Sequence, residues 1–333
     1  MGTMPQRRLG PFTVSAIGLG CMNLSHAYGV PPDRATAVRL LNEALDLGYT
    51  HLDTAFLYGG GANETLVGEA VGHRRGEYLL ASKCGLGPDA TGKRTIDGRP
   101  EAIRRTCEEA LRRLRTDVID LYYLHRLDAA VPVEDSAGAL AGLVAQGKIR
   151  GYGLSEVSAA TLRRAHAVHP VAAVQSEYAL WTRNPEIAVL DACAELGTGF
   201  VAFSPLGRGF LAGGLGDVAT LAPGDIRRGL PRFRPDAYAR NLALLDGLAA
   251  VAREAGCTPA QLALAWTLAK APHVVPIPGT TRIDHLRENA GAATLSLDPA
   301  TVARLESLIN RGTVDGPRYP ESTLAEIDTE DFA

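Results

Sequence analysis

Short apolar segments typical of β-strands alternate along the chain with longer segments whose apolar residues recur at helical spacing. Strands are predicted around 18–20 and at 50–53, 78–82, 118–124, 149–155, 171–176, 199–205 and 273–278. Helices are predicted at 34–47, 63–72, 100–115, 134–146, 158–167, 185–196, 259–270 and 282–290. Asp33 suits an N-cap and Pro100 a first helical turn. The pattern predicts eight strand–helix units.

Alternating strands and helices require parallel strands joined by crossover helices. Eight such units favour a closed (β/α)₈ barrel, and residues 1–333 are predicted to form one domain. Outside the repeat we expect an N-terminal hairpin (6–9 and 12–15), extra helices at 236–255 and 298–310, and a polar tail at 311–333. The long irregular segments 85–99 and 206–235 follow the third and seventh strands. They should lie over the carboxyl-terminal mouth, where barrels place their active sites.

The main alternative fold is a doubly wound dinucleotide-binding sheet, which needs G-x-G-x-x-G between a strand and a helix. Gly18-Leu19-Gly20 begins such a motif, but Asn23 stands where the third glycine is required. Gly59-Gly60-Gly61 does not follow a strand end. The sequence therefore favours the barrel.

Composition restricts the partners. A net charge of −3 gives no reason to expect a nucleic acid or a membrane surface. Five cysteines, an odd number without CxxC spacing, suit reduced thiols in the cytoplasm better than disulfides or a zinc site. His166 and His169 have metal-ligand spacing but fall on the predicted outer face, so no metal is expected. The amino terminus lacks the apolar core of a signal peptide, and we expect a cytoplasmic protein.

Four polar residues lie at or just beyond predicted strand ends: Asp53, Tyr58, Lys83 and His125. Together they can protonate and deprotonate a carbonyl or alcohol oxygen. A tyrosine hydroxyl titrates near ~10, and a nearby ammonium is expected to lower that pKa while a carboxylate holds the ammonium in place. A neutral histidine can orient the substrate oxygen. Neighbouring strands should bring these side chains together.

Later strand ends carry groups suited to a nucleotide. Ser155 and Gln175 can hydrogen-bond an amide, and Phe203 can stack on a flat ring. The segment 204–209 (SPLGRG) combines a hydroxyl, backbone amides and a guanidinium, as expected around a pyrophosphate. The segment 279–282 (GTTR) precedes a helix and so offers a second anion site.

The chain resembles the aldo-keto reductases, in particular the branch of aryl-alcohol-type and auxin-induced reductases and potassium-channel β subunits. The resemblance covers nearly the whole chain through GLGCMNLS, HLDTAFLYG, SKCG, DLYYLHRLD, GYGLSE, QSEYALW, SPLGRGFLAG and IPGTTRIDHLRENAGA. It implies a (β/α)₈ enzyme that uses NADPH without metal or flavin and reduces an aldehyde or ketone to an alcohol reversibly. Asp53, Tyr58, Lys83 and His125 fall on the family's catalytic positions, with Tyr58 as the acid.

The resemblance also implies a set of cofactor contacts: Gly20, Cys21, Met22, Asp53, Ser155, Gln175, Phe203, Ser204, Leu206, Arg208, Gly279, Thr280, Arg282, His285, Glu288 and Asn289. Two positions depart from the commonest pattern. Phe203 replaces a stacking tyrosine, and Gly279 stands where many members carry lysine. Recognition of the 2′-phosphate is therefore expected to depend mainly on Arg282.

Two other functions remain open. A sensor protein on the same fold would bind the cofactor without turnover, and an aldolase-type barrel would use Lys83 to form a Schiff base. The substrate is expected to be a small carbonyl compound or alcohol whose identity the sequence does not indicate, and neither does it indicate an oligomeric state. Specificity should arise from the mouth loops, the tail and residues such as His26, Phe56, Leu57, Arg126 and Trp181.

Overall fold

The computed structural model describes residues 4–25, 27–89 and 91–332, and within them the predicted barrel is confirmed. The strands are β1 (Gln6–Leu9), β2 (Phe12–Ser15), β3 (Leu19–Gly20), β4 (His51–Asp53), β5 (Leu79–Cys84), β6 (Leu86–Pro88), β7 (Arg94–Ile96), β8 (Ile119–Leu124), β9 (Ile149–Ser155), β10 (Ala173–Glu177), β11 (Gly199–Phe203) and β12 (Val274–Pro276). The eight-stranded sheet has the order β12-β11-β10-β9-β8-β5-β4-β3, and its neighbours pair in parallel.

The sheet closes on itself between its first and last strands. Gly20 and Gly279 form a parallel bridge, and the Gly18 amide donates to the Pro276 carbonyl at 2.9 Å. Closure satisfies the backbone groups of the two strands that an open sheet would leave at its edges. It also brings the segments around Gly20 and Gly279 together at the mouth.

Helices cover the outside of the barrel. They are α1 (Arg34–Asp46), α2 (Ala62–Val71), α3 (Pro100–Leu114), α4 (Val133–Ala145), α5 (Ala159–Val168), α6 (Val189–Leu196), α7 (Pro235–Glu254), α8 (Pro259–Lys270), α9 (Ile283–Gly291), α10 (Pro299–Leu308) and α11 (Glu321–Leu324). Asp33 caps α1 by accepting from the Thr36 amide, and Pro100 occupies the first turn of α3, both as predicted. Within the described residues, no helix combines the length and apolar character that crossing a bilayer requires.

The buried apolar residues form two layers. A large layer fills the space between the strands and the helices. A smaller one fills the barrel interior and includes Leu121, Tyr123 and Val201. Leu9 and Val14 of the predicted hairpin β1–β2 belong to this inner layer, and a Cβ on Gly199 would meet Leu9. Since Gly199 begins β11, the hairpin closes the amino-terminal end of the barrel, opposite the mouth.

Three segments that the sequence left irregular have structure. The 85–99 segment contains the antiparallel hairpin β6–β7. The 206–235 segment contains 3-10 turns at Gly207–Ala212, Val218–Thr220, Ile226–Gly229 and Pro231–Phe233. The tail packs back onto the barrel, and the Asp328 amide donates to the Glu156 carbonyl at 3.0 Å. The tail is therefore part of the folded domain.

Candidate active site

The mouth of the barrel brings the four proposed catalytic residues together. Asp53 is the last residue of β4, Lys83 lies in β5, and His125 directly follows β8. β4 and β8 both pair with β5, which places the three side chains on adjacent strands. Tyr58 lies in the loop after β4, in a turn whose Tyr58 amide donates to the Ala55 carbonyl. The prediction that strand register makes these groups converge is confirmed.

Lys83 lies at the centre of the group. Its ammonium donates to the Asp53 carboxylate, to the Thr54 carbonyl at 2.8 Å and to the Tyr58 hydroxyl at 3.4 Å. Lys83 and Asp53 are almost completely buried. A buried charge is tolerated only when it is paired and hydrogen-bonded, and this ammonium meets that condition. The result is a linear relay from carboxylate to ammonium to phenol.

Burial and charge set the protonation states of the relay. Burial raises the pKa of Tyr58, and the neighbouring Lys83 ammonium opposes this without reversing it. This differs from the expectation that the ammonium would bring the pKa of Tyr58 below its ordinary value, because desolvation of the phenolate is the larger effect. Burial acts to lower the pKa of Lys83, but the adjacent Asp53 outweighs it and the pKa is raised. At neutral pH the relay therefore holds a protonated phenol and an ammonium.

His125 stands beside the phenol as a neutral ring. Its ring and that of Tyr58 meet edge to face, with centroids 6.1 Å apart. Burial, reinforced by the charges of Lys83 and Arg126, holds the pKa of His125 well below its ordinary value. Within the described part of the chain, His125 Nδ1 is buried without a hydrogen-bond partner. A neutral imidazole with a free ring nitrogen at the mouth agrees with the orienting role predicted for it.

Gln175 and Ser155, the predicted amide-binding pair, lie on β10 and β9. Gln175 Nε2 donates to the second Asp53 oxygen at 2.8 Å. The Ser155 hydroxyl accepts from Arg126 at 3.4 Å, and Arg126 also donates to the His125 carbonyl at 2.7 Å. Gln175 therefore contacts the relay directly, and Ser155 is linked to His125 through Arg126. The sequence did not suggest that Gln175 would help to hold the Asp53 carboxylate.

The loop after β11 has an unusual backbone. Ser204, Gly207, Arg208 and Gly209 all have positive φ, from 50° to 94°. Left-handed residues next to right-handed ones turn successive amides toward one side, which makes an anion-binding concavity. Phe203, Ser204 and Leu206 are half-buried at the start of this loop. The Gly207 and Gly209 amides donate within the loop to the Ser204 and Leu206 carbonyls at 2.9 and 3.1 Å, so the pyrophosphate contact stays a prediction.

The Arg208 guanidinium is already bound by other side chains. It donates to Glu177 and to the Tyr319 hydroxyl, each at 2.8 Å, and to the Tyr28 hydroxyl at 3.1 Å. The pair with Glu177 is almost fully buried. Arg208 therefore anchors its own loop to β10 and to the tail. Because the guanidinium is occupied in this way, the predicted contact of Arg208 with a pyrophosphate would have to be made by its backbone amide.

The segment around Gly20 lies against Gly279. The Cys21 amide donates to the Asp53 carbonyl at 2.8 Å, and Met22 begins a 3-10 turn. A Cβ on Gly279 would lie 2.6 Å from Asn23 Oδ1 and 2.9 Å from the Gly20 carbonyl. Such contacts are too short for any side chain. The close approach of the two segments explains why this chain has glycine at 279.

The predicted adenosine-binding residues lie in the segment that leads into α9 and along α9 itself. The Thr280 hydroxyl accepts from the Arg282 amide at 3.1 Å, and Asn289 is buried. His285 is exposed and Glu288 is half-buried. The Arg282 side chain is 63% exposed and forms an ion pair with Asp284, so it can turn toward a ligand at little cost.

Several residues near the site were missed because nothing in their local sequence marks them. Asn63 in α2 donates through Nδ2 to the Cys21 carbonyl at 2.9 Å. Its Oδ1 accepts from the Thr54 hydroxyl at 2.6 Å. Arg318 of the tail forms a buried ion pair with Glu156. These contacts join residues far apart in sequence, and only the fold brings them together.

Two of the residues proposed to set specificity need comment. Trp181 stacks on Phe210 with ring centroids 4.5 Å apart and meets Phe233 edge to face. It is 4% exposed, and its ring belongs to a buried aromatic cluster rather than to an exposed wall of the mouth. His26 lies outside the described residues.

Comparison with known proteins agrees with this geometry. A protein of Glycine max called probable aldo-keto reductase 1 is 42% identical over 92% of this chain and 89% of its own length. A glycerol dehydrogenase from Gluconobacter oxydans superposes with a TM-score of 0.84 at 29% identity, over 95% of this chain and 98% of that one. An aldo/keto reductase from Klebsiella pneumoniae, solved in complex with NADP and acetate, superposes with a TM-score of 0.73 at 28% identity. The superposition covers 98% of this chain and 100% of that one.

The family model described as the aldo/keto reductase family matches residues 16–310. That range begins just before β3 and ends just after α10, and it contains the relay, His125 and α9. With the barrel closed and the four polar residues converging at its mouth, the chain belongs to the aldo/keto reductase family.

Proposed function

We propose that this protein reduces an aldehyde or ketone to an alcohol with NADPH, reversibly, and that Tyr58 is the general acid. The observation that carries the proposal is the buried relay in which Lys83 contacts both Asp53 and the Tyr58 hydroxyl. The phenol is neutral and thus able to donate a proton at neutral pH. His125 beside it supplies a neutral ring nitrogen for the same oxygen.

The residues present fit a dinucleotide. The left-handed backbone at 204–209 offers amides to a pyrophosphate, and the amino terminus of α9 with Thr280 and Arg282 offers a second anion site. Ser155 and Gln175 would hold the carboxamide, with Phe203 against the ring. When bound, NADPH supplies the hydride. The structure of the Klebsiella pneumoniae aldo/keto reductase in complex with NADP supports the assignment.

The chain's own residues would move the proton. His125 and Tyr58 hold the substrate oxygen, and the Tyr58 hydroxyl gives its proton to that oxygen as negative charge develops there. The Lys83 ammonium stabilises the phenolate that remains. Asp53 keeps Lys83 charged and in place, and Gln175 holds the other carboxylate oxygen. In the reverse direction the phenolate accepts the proton of an alcohol.

The Schiff-base alternative has less support. An amine must lose its proton to attack a carbonyl, and the pKa of Lys83 is raised by Asp53. The ammonium also donates to three acceptors, so all its N–H groups are already engaged. Lys83 is better suited to electrostatic stabilisation than to nucleophilic attack.

The test is NADPH consumption with a panel of small aldehydes and ketones, paired with a fluorescence titration of NADPH binding. We expect both binding and turnover. Binding without turnover across the panel would contradict the proposal and indicate a cofactor sensor. Irreversible labelling of Lys83 by borohydride in the presence of a carbonyl substrate would indicate the Schiff-base alternative.

A further inference from the structure

A cavity of about 270 Å³ lies between the C-terminal tail and the barrel. Its floor is formed by residues that follow β10 and by the Pro231–Phe233 turn, and its roof by the tail. All its lining residues belong to the described part of the chain, and none is a member of the relay or His125. It is therefore separate from the catalytic group, and the proposed reaction gives it no role.

The cavity lining includes four arginines: Arg183, Arg232, Arg311 and Arg318. Arg183 is paired with Glu186, and Arg318 with Glu156. The two acidic residues of the lining already accept hydrogen bonds: Glu330 from the Ala159 amide at 2.7 Å, and Asp331 from Asn184 at 3.0 Å. The hydrogen bond to Glu330 involves Oε1 only, and its Oε2 is buried without a hydrogen-bond partner among the described residues.

Arg232 differs from its neighbours. No carboxylate among the described residues lies within ion-pairing distance of its guanidinium. Its Nε donates to the Gly316 carbonyl at 3.0 Å and its Nη1 to the Thr182 hydroxyl at 2.7 Å, while Nη2 has no acceptor among the described residues. The guanidinium lies over the Trp181 ring, 5.1 Å from its centroid. It is therefore fixed in position without a directly contacting carboxylate; the Glu177 carboxylate is reached only through the Thr182 hydroxyl, which donates to it at 3.0 Å.

The charge on Arg232 persists at neutral pH. Burial lowers the pKa of Arg232 to about 10; the Glu177 carboxylate opposes this shift and Arg318 and Arg208 add to it, and the guanidinium stays protonated. A partly buried charge held by two hydrogen bonds and an aromatic face, with its remaining donor unused, favours an anionic ligand.

The rest of the lining indicates what accompanies the charge. Val314, Leu324 and Ile327 of the tail give the cavity an apolar side. A volume of about 270 Å³ lies just below the roughly 300–1,000 Å³ of pockets that hold drug-sized ligands. It therefore admits a small molecule rather than a nucleotide or a peptide.

We propose that this cavity binds a small organic anion, with its carboxylate or phosphate group on Arg232 and its carbon skeleton against Leu324 and Ile327. Guanidinium groups recognise both anions through paired N–H donors. Bound there, the anion would bridge the barrel and the tail and would hold the tail down. The site requires no turnover at the relay, so it stands independently of the proposed reaction.

The test is calorimetric titration of the intact protein with citrate and, separately, with glycerol 3-phosphate, each in saturating NADP⁺ so that the predicted cofactor anion sites are filled. We expect one site for at least one probe. Arg232→Gln should weaken binding roughly tenfold or more, as the loss of a charge-assisted hydrogen bond predicts. Arg228→Gln, which removes an exposed charge four residues away, should leave it unchanged.

A second variant guards against misfolding of Arg232→Gln. Leu324→Trp would fill the cavity from the tail without touching Arg232, and it should also abolish binding. Absence of binding by the wild-type protein, or wild-type affinity in either Arg232→Gln or Leu324→Trp, would overturn the proposal. Repeating the titration with Tyr58→Phe separates the two claims, since that variant should bind the probe as the wild type does whatever happens to turnover.

Discussion

The two ends of the proposed cofactor site are built in different ways. At the catalytic end, Lys83 and Asp53 are almost completely buried and each contacts several partners. At the α9 end, Arg282 and Asp284 have side chains 63% and 61% exposed and pair with each other. Buried groups cannot move without losing hydrogen bonds, whereas exposed groups can exchange partners with water at little cost. We therefore expect large effects of substitution at the first end and modest, salt-dependent ones at the second.

The largest effect is expected for Lys83→Met. Breaking a buried ion pair by removing one partner costs about 3–5 kcal/mol, because the Asp53 carboxylate would remain buried without its counter-charge. Urea denaturation measures this loss. The pKa of Tyr58, already raised by burial, should rise further without the ammonium. Alcohol oxidation needs the phenolate, so its pH profile should move to higher pH.

Lys148→Met is the matched control. Lys148 pairs with Glu108 at the surface, where both side chains are more than a third exposed. Its removal should change the free energy of unfolding by about 0–1 kcal/mol and leave the pH profile in place. If Lys83→Met is no less stable than Lys148→Met and keeps the wild-type profile, the relay has been assigned wrongly.

At the other end, Arg282→Ala should weaken NADPH binding while leaving NADH binding nearly unchanged. A charge-assisted hydrogen bond to phosphate is worth about 1.5–3 kcal/mol, or roughly 10- to 150-fold in affinity. Dissociation constants for both cofactors at one fixed ionic strength measure the effect. A parallel loss of NADH affinity would mean that Arg282 holds the loop or the adenine instead.

The Arg282–Asp284 pair sharpens the comparison further. Asp284→Asn should free the guanidinium and tighten NADPH binding a few-fold, within the roughly 0–1 kcal/mol that exposed ion pairs contribute. Arg287→Ala is the control, because Arg287 is an exposed arginine of the same helix paired with Glu43. Weaker NADPH binding in Asp284→Asn would show that the pair positions Arg282 for the phosphate.

Between the two ends, Gly279 tests how closely the barrel closes. Gly279→Ala should destabilise the protein by about 1–3 kcal/mol, because the new Cβ would meet the Gly20 carbonyl. Gly138→Ala is the opposite case, since that exposed glycine in α4 has open space beside it. There alanine should stabilise the helix by about 0.5–1 kcal/mol. Thermal unfolding of both variants makes the comparison, and equal effects would contradict the close approach.

The same division explains what the sequence could predict. The barrel was predicted from the alternation of strand-like and helix-like hydrophobic patterns along the chain. The convergence of Asp53, Lys83 and His125 was predicted from their places at neighbouring strand ends. The pair of Arg318 with Glu156 could not be predicted, because a polar tail without periodicity does not indicate where it will pack. The hairpin β6–β7 was missed because its strands are only three residues long.

The direction of the pKa shift at Tyr58 depended on burial, which no local pattern reports. The sequence placed an ammonium near the phenol, as the structure confirms, but the loss of solvation outweighs that charge. Trp181 illustrates the same limit. A tryptophan after a strand end is compatible with the mouth or the core, and only the stacking on Phe210 decides it.

The central claim is that Tyr58 delivers the proton, and Tyr58→Phe tests it most directly. Phenylalanine keeps the ring beside His125 and removes only the hydroxyl that contacts Lys83. Reduction by stopped-flow single turnover and NADPH affinity should be measured on the same preparation. We predict that the rate falls by about 10²-fold or more, the usual contribution of general acid catalysis, with nearly unchanged affinity. A variant that keeps more than roughly a tenth of the wild-type rate would contradict the role of Tyr58 as the acid.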